Sequence, residues 1–164
     1  MLQTTAAIDV GRGASRDFAR ARRRAFFGRT ARRLVARLRG YGPGDGGDRL
    51  ACFGEAREAL GEAVRVRRGL ETVELARISG SVGRCLDFDG GFLPACSCTR
   101  GRWERVDRAL REGKFLPPVE LYKLGEGYFV SDGNHRVSAA RYRGVVAVDA
   151  VVTEFLDPCG CPFV

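Results

Sequence analysis

The sequence predicts an α+β domain built on a small mixed sheet and preceded by a basic helical arm. Three observations support this class. Strand-like and helix-like runs alternate between residues 72 and 156, a glycine-rich segment at 40–47 marks a boundary, and arginines are concentrated before that segment. We therefore divide the chain into an arm with its linker (1–47), a connecting helix (48–71), the α+β domain (72–156) and a tail (157–164).

The arm is predicted to be helical from Asp17 to Leu38. One apolar face consists of residues at helical intervals, namely Phe27, Ala31, Leu34, Val35 and Leu38. A separate, shorter face is formed upstream by Phe18, Ala21 and Ala25. Gly28 lies between the two faces, and because glycine has low helix propensity we expect it to weaken or divide the helix there.

The positive charge of the chain belongs to this arm. Ten arginines and one acidic residue lie between Arg16 and Arg39, a net charge of +9, whereas the whole chain carries +8. Such a segment is typical of proteins that bind DNA or RNA through phosphates without reading sequence. The predicted contacts are Arg20, Arg22, Arg23, Arg24, Arg29, Arg32, Arg33 and Arg37. A membrane surface, with Phe26, Phe27 and Leu38 inserted, is the less favoured alternative.

The first elements after the linker are a helix, a strand and a loop. The helix is predicted from residues that share one face, namely Phe53, Ala56, Leu60 and Val64. Alternating apolar residues predict a strand over Glu71–Ile78. The segment Ser79–Pro94 is rich in glycine and aspartate and is too long for a simple connection, so we interpret it as a loop of the kind that often carries function.

The remaining elements complete a domain of about four strands and three or four helices. Thr99 is a predicted N-cap for a helix over Gly101–Glu112 that buries Trp103, Val106 and Leu110. Two strands, Val119–Lys123 and Tyr128–Val130, are expected to pair as a hairpin. A helix from about Arg136 to Gly144 and a strand over Val145–Thr153 follow.

The six cysteines are expected to be free thiols in a reducing cytoplasm. Residues 1–10 lack the basic and apolar regions of a secretory signal, and no apolar run is long enough to span a bilayer, so a cytoplasmic location is predicted. The alternative is a four-thiolate zinc site made by two C-x-C pairs, Cys96 with Cys98 and Cys159 with Cys161.

The segment Asp132–Arg136 carries the strongest functional signal. A strand-like run precedes it and a helix-like run follows, so Gly133 forms a tight turn into a helix N-terminus with unpaired N–H groups. Such a terminus attracts phosphate, and Gly133, Asn134, His135 and Arg136 are the predicted contacts. The alternative is a structural turn in which Asp132 bonds the helix start.

Three segments of the chain resemble the ParB/sulfiredoxin family, and the resemblance extends from about Thr72 to Phe155. The segments are Leu116–Leu121, Asp132–Arg136 and Val148–Val152. The corresponding turn reads G-C-H-R in sulfiredoxins, G-E-R-R in ParB proteins and D-G-x-x-R in the free-serine kinases. The resemblance implies that His135 and Arg136 contact the phosphates of a nucleotide (ATP or CTP), with further contacts from Thr99 and Arg100.

Departures from the family pattern limit the activity that the resemblance implies. Asn134 occupies the position of the catalytic cysteine of sulfiredoxins, so sulfinic-acid reduction is not expected. Asn134 also occupies the position of the ParB glutamate, which argues against nucleotide hydrolysis of the ParB type.

The first hypothesis is therefore a nucleotide- or phosphate-binding protein with a nucleic-acid-binding arm. A small-molecule kinase is the alternative, with Asp132 holding Mg²⁺ and Glu120 as general base. Alternation with Val119 and Leu121 also fits Glu120 as an outward strand residue. A ParB-like nuclease is ranked last because the turn offers no metal cluster beyond Asp132.

Overall fold

The computed structural model describes residues 13–30, 49–58 and 61–161. Within these ranges six strands form one mixed sheet in the order β1-β3-β5-β4-β6-β2. The strands are β1 (Ala51–Cys52), β2 (Val64–Glu74), β3 (Ile78–Ser81), β4 (Val119–Leu124), β5 (Gly127–Asp132) and β6 (Ala147–Leu156). The pairs β1–β3, β3–β5 and β4–β6 are parallel, and the pairs β4–β5 and β2–β6 are antiparallel.

Four α-helices lie in the described ranges and confirm the predicted α+β class. They are α1 (13–30), α2 (Phe53–Glu58), α3 (Arg100–Arg111) and α4 (Asn134–Tyr142). The predicted hairpin is β4–β5, and α3 and α4 lie within two residues of the bounds predicted for them. Short 3₁₀ turns precede β3 and α3. For strongly periodic segments that end at glycine or proline, the sequence therefore predicts correctly whether the element is a helix or a strand.

The predictions between residues 53 and 94 need correction. Val64, expected on the face of a helix, begins β2, and that strand continues to Glu74 instead of starting at Glu71. The predicted domain boundary at 72 therefore falls inside β2. Among the described strands, β2 lies at an edge of the sheet and pairs with β6 alone, so most of its charged side chains are in contact with solvent.

The predicted loop 79–94 begins inside β3, which extends to Ser81. A Cβ atom at Gly80 would collide with the Ala51 carbonyl oxygen and the Phe129 ring, so glycine permits the close packing of β1 and β5 on β3. The rest of the loop is partly core: Phe88 is 2% exposed and Phe92 is fully buried. The part of the loop from Phe88 to Phe92 is thus packed into the core.

Helix α1 docks on the body through the shorter of its two predicted faces. Ala14, Phe18, Ala21 and Ala25 are buried, and the Phe18 ring packs edge-on against Trp103 with 5.6 Å between centroids. Phe27, predicted to lead the longer stripe, is 66% exposed. The other members of that stripe (Ala31, Leu34, Val35 and Leu38) lie outside the described residues. Residues 13–30 are helical throughout, so the helix is not divided at Gly28.

A network of charged groups ties α1 to α3 and α4. Asp107, fully buried on α3, accepts hydrogen bonds from Arg111 and Arg143. Both guanidinium groups also bond to Asp17 of α1, which in addition accepts a hydrogen bond from the Tyr142 hydroxyl. The side chains of Arg111 and Arg143 are 30% and 28% exposed, so solvent screens this network only in part.

The prediction of six free thiols is wrong for four of them. Cys52 in β1 is disulfide-bonded to Cys85 in the loop after β3, and Cys96 is bonded to Cys98. The four-thiolate zinc site is also wrong. Among the described residues Cys96 and Cys98 lie beside Asp87, whereas the free thiols of Cys159 and Cys161 lie beside Asp157, so the two pairs do not meet.

The helices in the described part of the chain are all too short or too polar to cross a bilayer. The cytoplasmic location stays a prediction.

Candidate functional site

Two chain segments meet at the C-terminal ends of β3 and β5 and form a pocket. Strands β3 and β5 are parallel, so the segments that follow them lie side by side, and the Val82 N–H donates to the Val130 carbonyl at 3.0 Å. Helix α3 closes the third side. The pocket has a volume of about 420 Å³ and is lined by Gly83, Arg84, Arg102, Arg105, Val106 and the segment Ser131–Arg136.

Gly133 forms the turn from β5 into α4, as predicted. Its φ of 98° lies in the left-handed region, and a Cβ there would stand 2.7 Å from Val119 Cγ1. The Val137 N–H donates to the Gly133 carbonyl at 3.0 Å, which is the first bond of the helix. The N–H groups of Asn134, His135 and Arg136 precede that bond and have no partner within the helix, so they and the helix dipole favour an anion at this end.

Arginines from three elements converge on this helix end. Arg84 follows β3, where its N–H donates to Ser81 Oγ at 3.1 Å and its guanidinium pairs with Asp87 at 2.8 Å. Arg102 and Arg105 project from the exposed side of α3, three residues apart, and neither makes an ion pair within the described ranges. With Arg136 there are four cations against the single carboxylate of Asp132.

Arg136, the predicted bidentate phosphate ligand, is largely engaged by the protein itself. Its Nη1 donates to the carbonyls of Pro117 and Pro118, and its Nη2 donates to Asp132. The guanidinium therefore holds the double-proline segment against the turn. Asp132 is 70% exposed and shares its charge with Arg136, and it belongs to no cluster of three or more potential metal ligands among the described residues. A Mg²⁺ site at Asp132 gains no support from these contacts.

His135 and Asn134 contribute buried polar atoms that lack partners. His135 is 9% and Asn134 6% exposed, and within the described structure neither His135 Nε2 nor Asn134 Oδ1 has a hydrogen-bond partner. The Phe88 ring packs edge-on against the imidazole with 5.6 Å between centroids. Burial, together with the positive charges of Arg84 and Arg102, lowers the pKa of His135 to about 4. The imidazole is therefore neutral at neutral pH and acts through hydrogen bonding rather than charge.

Three predicted site residues lie outside the pocket. Thr99 is 2% exposed and donates its hydroxyl hydrogen to the Cys96 carbonyl, so it does not cap α3 through its side chain. Arg100 pairs with Glu104 on the side of α3 that faces α1. Glu120 is an exposed strand residue opposite Asp132, in agreement with the structural interpretation.

Sequence reasoning missed Arg84, Arg102 and Arg105. Helical periodicity contained part of the signal, because the two arginines of α3 lie on the same face and away from Asp107 on the buried side. Arg84 had no comparable local signal. Its place depends on β3 being parallel to β5, which is a property of the sheet rather than of the segment.

No model of a protein family and no curated protein sequence matches the chain. Among solved structures, the sulfiredoxin from Arabidopsis thaliana is similar, with 14% identity and a TM-score of 0.38. The match covers 51% of this chain and 82% of that protein. Membership of the family that the motifs resemble therefore stays a prediction.

Proposed function

We propose that the protein binds a phosphate-bearing ligand, a nucleotide in the first instance, at the N-terminus of α4. The observation that carries the proposal is the convergence of four arginines and three backbone N–H groups, which have no partner within α4, on a pocket with one carboxylate among its lining residues. Helix N-termini and guanidinium groups are both well suited to hold phosphate. The neutral His135 and the Asn134 amide add hydrogen-bonding groups that have no partner in the described structure.

The arginines of α3 are suited to make the main contacts with the ligand. Arg136 and Arg84 already bond to protein groups, so turning them toward a phosphate would break existing contacts. Arg102 and Arg105 are exposed and form no ion pair in the described ranges, so they can turn toward a phosphate without breaking a salt bridge. We therefore assign phosphate contact to these two residues and a supporting role to Arg136.

Replacement of both Arg102 and Arg105 by alanine is expected to weaken nucleotide binding at least tenfold, because each lost charge-assisted hydrogen bond is worth about 1.5–3 kcal/mol. Calorimetric titration with ATP and with CTP, each with and without Mg²⁺, and with inorganic phosphate measures the change. Arg108→Ala is the matched control, since it removes an exposed arginine of the same helix that does not line the pocket. Equal affinities in the double variant and the control, or no binding of any of these anions by the unmodified protein, would contradict the proposal.

The two catalytic alternatives receive no specific support. A kinase needs a base near the phosphate, and Glu120 does not line the pocket. A metal-dependent nuclease needs a cluster of ligands, and the clusters among the described residues lie at Asp87 and Asp157, not at Asp132. Binding is therefore the function that we propose for the pocket.

We propose further that the outer face of α1 binds nucleic acid. The helix buries Phe18 and the alanines of its inner face, and Arg20, Arg22, Arg23 and Arg24 are exposed on the outside, with Arg29 half-buried. Docking therefore presents these charges on a fixed surface rather than on a loose arm. Arg32, Arg33 and Arg37 lie outside the described residues. Exposed Phe26 and Phe27 on the same helix keep an anionic membrane surface as the rival ligand.

The variant Arg22→Ala with Arg23→Ala is expected to weaken DNA and RNA binding and to lower the salt dependence by about one unit of slope per lost phosphate contact. Neither residue makes an ion pair in the described part of the chain, so the fold is not disturbed. Deletion of residues 1–46 would remove Phe18 from the core and is a poorer test. Fluorescence anisotropy at several salt concentrations gives the slope, and Arg67→Ala with Arg108→Ala controls for net charge. Binding to anionic vesicles but not to nucleic acid would contradict the proposal.

A further inference from the structure

Three potential metal ligands converge at the end of β6. The Cys159 Sγ lies 2.9 Å from Asp157 Oδ1 and 3.2 Å from Cys161 Sγ, and all three ligand atoms lie within 4.8 Å of one another. Both cysteines are free and exposed. The group lies outside the phosphate pocket, and nothing in the proposed function uses it.

The backbone holds these three side chains together. The Asp157 N–H donates to the Cys161 carbonyl at 3.0 Å, and the Gly160 N–H donates to the Asp157 carbonyl at 2.9 Å. Gly160 supplies the left-handed conformation of the turn with a φ of 83°. The Cys161 N–H donates to Asp157 Oδ1 at 2.7 Å, which fixes the carboxylate. The turn follows directly on Phe155 and Leu156, which are 0% and 6% exposed, so its first residue is anchored in the sheet.

We propose that Asp157, Cys159 and Cys161 form a binding site for a thiophilic divalent cation of the Zn²⁺ type. Two thiolates and one carboxylate oxygen are ligands that Zn²⁺ accepts, and water would complete a tetrahedron. Binding breaks two S–H bonds, releases two protons to solvent and forms two metal–sulfur bonds, and no electron is transferred. The existing turn lowers the ordering cost, because the ligands need only small side-chain rotations to surround an ion.

The second C-x-C pair in the chain provides an internal control. Cys96 and Cys98 also lie beside an aspartate, Asp87, but their sulfurs are bonded to each other. That pair must be reduced before it can ligate a metal, whereas Cys159 and Cys161 are already thiols. The proposal therefore assigns cation binding to one pair and not to the other.

Titration of the full chain with Co²⁺, under an inert atmosphere and without a reductant that would open the Cys96–Cys98 disulfide, tests the site. We expect one Co²⁺ per chain, a thiolate-to-cobalt absorption band in the near ultraviolet, and loss of that band when Zn²⁺ is added. Cys159→Ser with Cys161→Ser should abolish the band, and Asp157→Ala should weaken binding about tenfold, the equivalent of about 1.4 kcal/mol. Cys96→Ser with Cys98→Ser should leave the band unchanged.

Two results would overturn the assignment. The first is an unmodified protein that gives no thiolate band. The second is a band that survives loss of Cys159 and Cys161 or disappears with Cys96 and Cys98. Thermal unfolding of each variant without metal checks that the fold is intact, and because these cysteines are exposed we expect no change in the unfolding temperature.

Discussion

Replacement of Cys52 and Cys85 by serine is expected to lower the free energy of unfolding by about 3 to 4 kcal/mol. The disulfide closes a loop of 33 residues, and a cross-link over that length removes much conformational entropy from the unfolded chain. It also joins β1, a strand of two residues at the edge of the sheet, to the segment that carries Arg84. Urea unfolding of the variant, and of the unmodified protein with and without reductant, measures the loss.

The same variant is expected to bind nucleotide more weakly. Gly83 and Arg84 line the phosphate pocket and directly precede Cys85. Without the cross-link, only the hydrogen bonds of Arg84 with Ser81 and Asp87, among the contacts described above, hold these two residues in place. Cys96→Ser with Cys98→Ser is the matched control, because that disulfide spans only two residues and constrains little of the unfolded chain. If both double variants unfolded at the same urea concentration, the assigned role of Cys52–Cys85 would be wrong.

Replacement of Asp107 by alanine is expected to lower the free energy of unfolding by about 2 to 4 kcal/mol. Asp107 is fully buried and is the acceptor that Arg111 and Arg143 share on the body side of the network. Without it the two guanidinium groups face each other with Asp17 as their remaining anion. The expected loss is below that of a fully buried pair because both arginines retain contact with solvent.

Glu112→Ala is the control for Asp107→Ala. It removes an acid just beyond the same helix whose partner, Lys114, is well exposed, so the change should stay within about 0.5 kcal/mol. Because Asp17 belongs to α1, proteolysis within residues 13–30 should also become faster in the Asp107 variant. Equal urea midpoints for the two variants would show that the network contributes nothing measurable.

Local signals predicted the parts of the fold that local chemistry determines. Gly133, between an apolar strand and a helix, predicted the turn before α4. The spacing of Trp103, Val106 and Leu110 predicted α3. The start of the edge strand β2 was not predicted from its local sequence. Residues 64–67 alternate between valine and arginine, but the alternation breaks at Arg68 and Gly69, where the pairing with β6 shifts register. The apolar residues therefore also fitted the end of a helix face.

Helix α1 shows how burial can contradict pattern. The longer stripe begins at Phe27, the one member that the structure describes, and this large side chain is exposed, whereas Phe18 and three alanines of the shorter face are buried. Small residues allow α1 to approach α3 closely, and Asp17 on the same face finds Arg111 and Arg143. A carboxylate such as Asp17 normally indicates that a helix face is exposed, because an unpaired buried charge is costly. Here the partners of Asp17 lie on other parts of the chain, so the sequence of the helix alone does not reveal that this face is buried.

The sequence alone determined the α+β class, the glycine turn into α4 and the concentration of arginine before residue 40, because each depends on residues close together in the chain. The tertiary structure alone decided which cations surround that turn and which cysteines pair. Arg84 reaches the pocket through the parallel pairing of β3 with β5, Arg102 and Arg105 reach it through the packing of α3 on α4, and Cys85 reaches Cys52 across 33 residues. Such contacts depend on how elements pack, and that information is distributed over the whole core rather than held in any one segment.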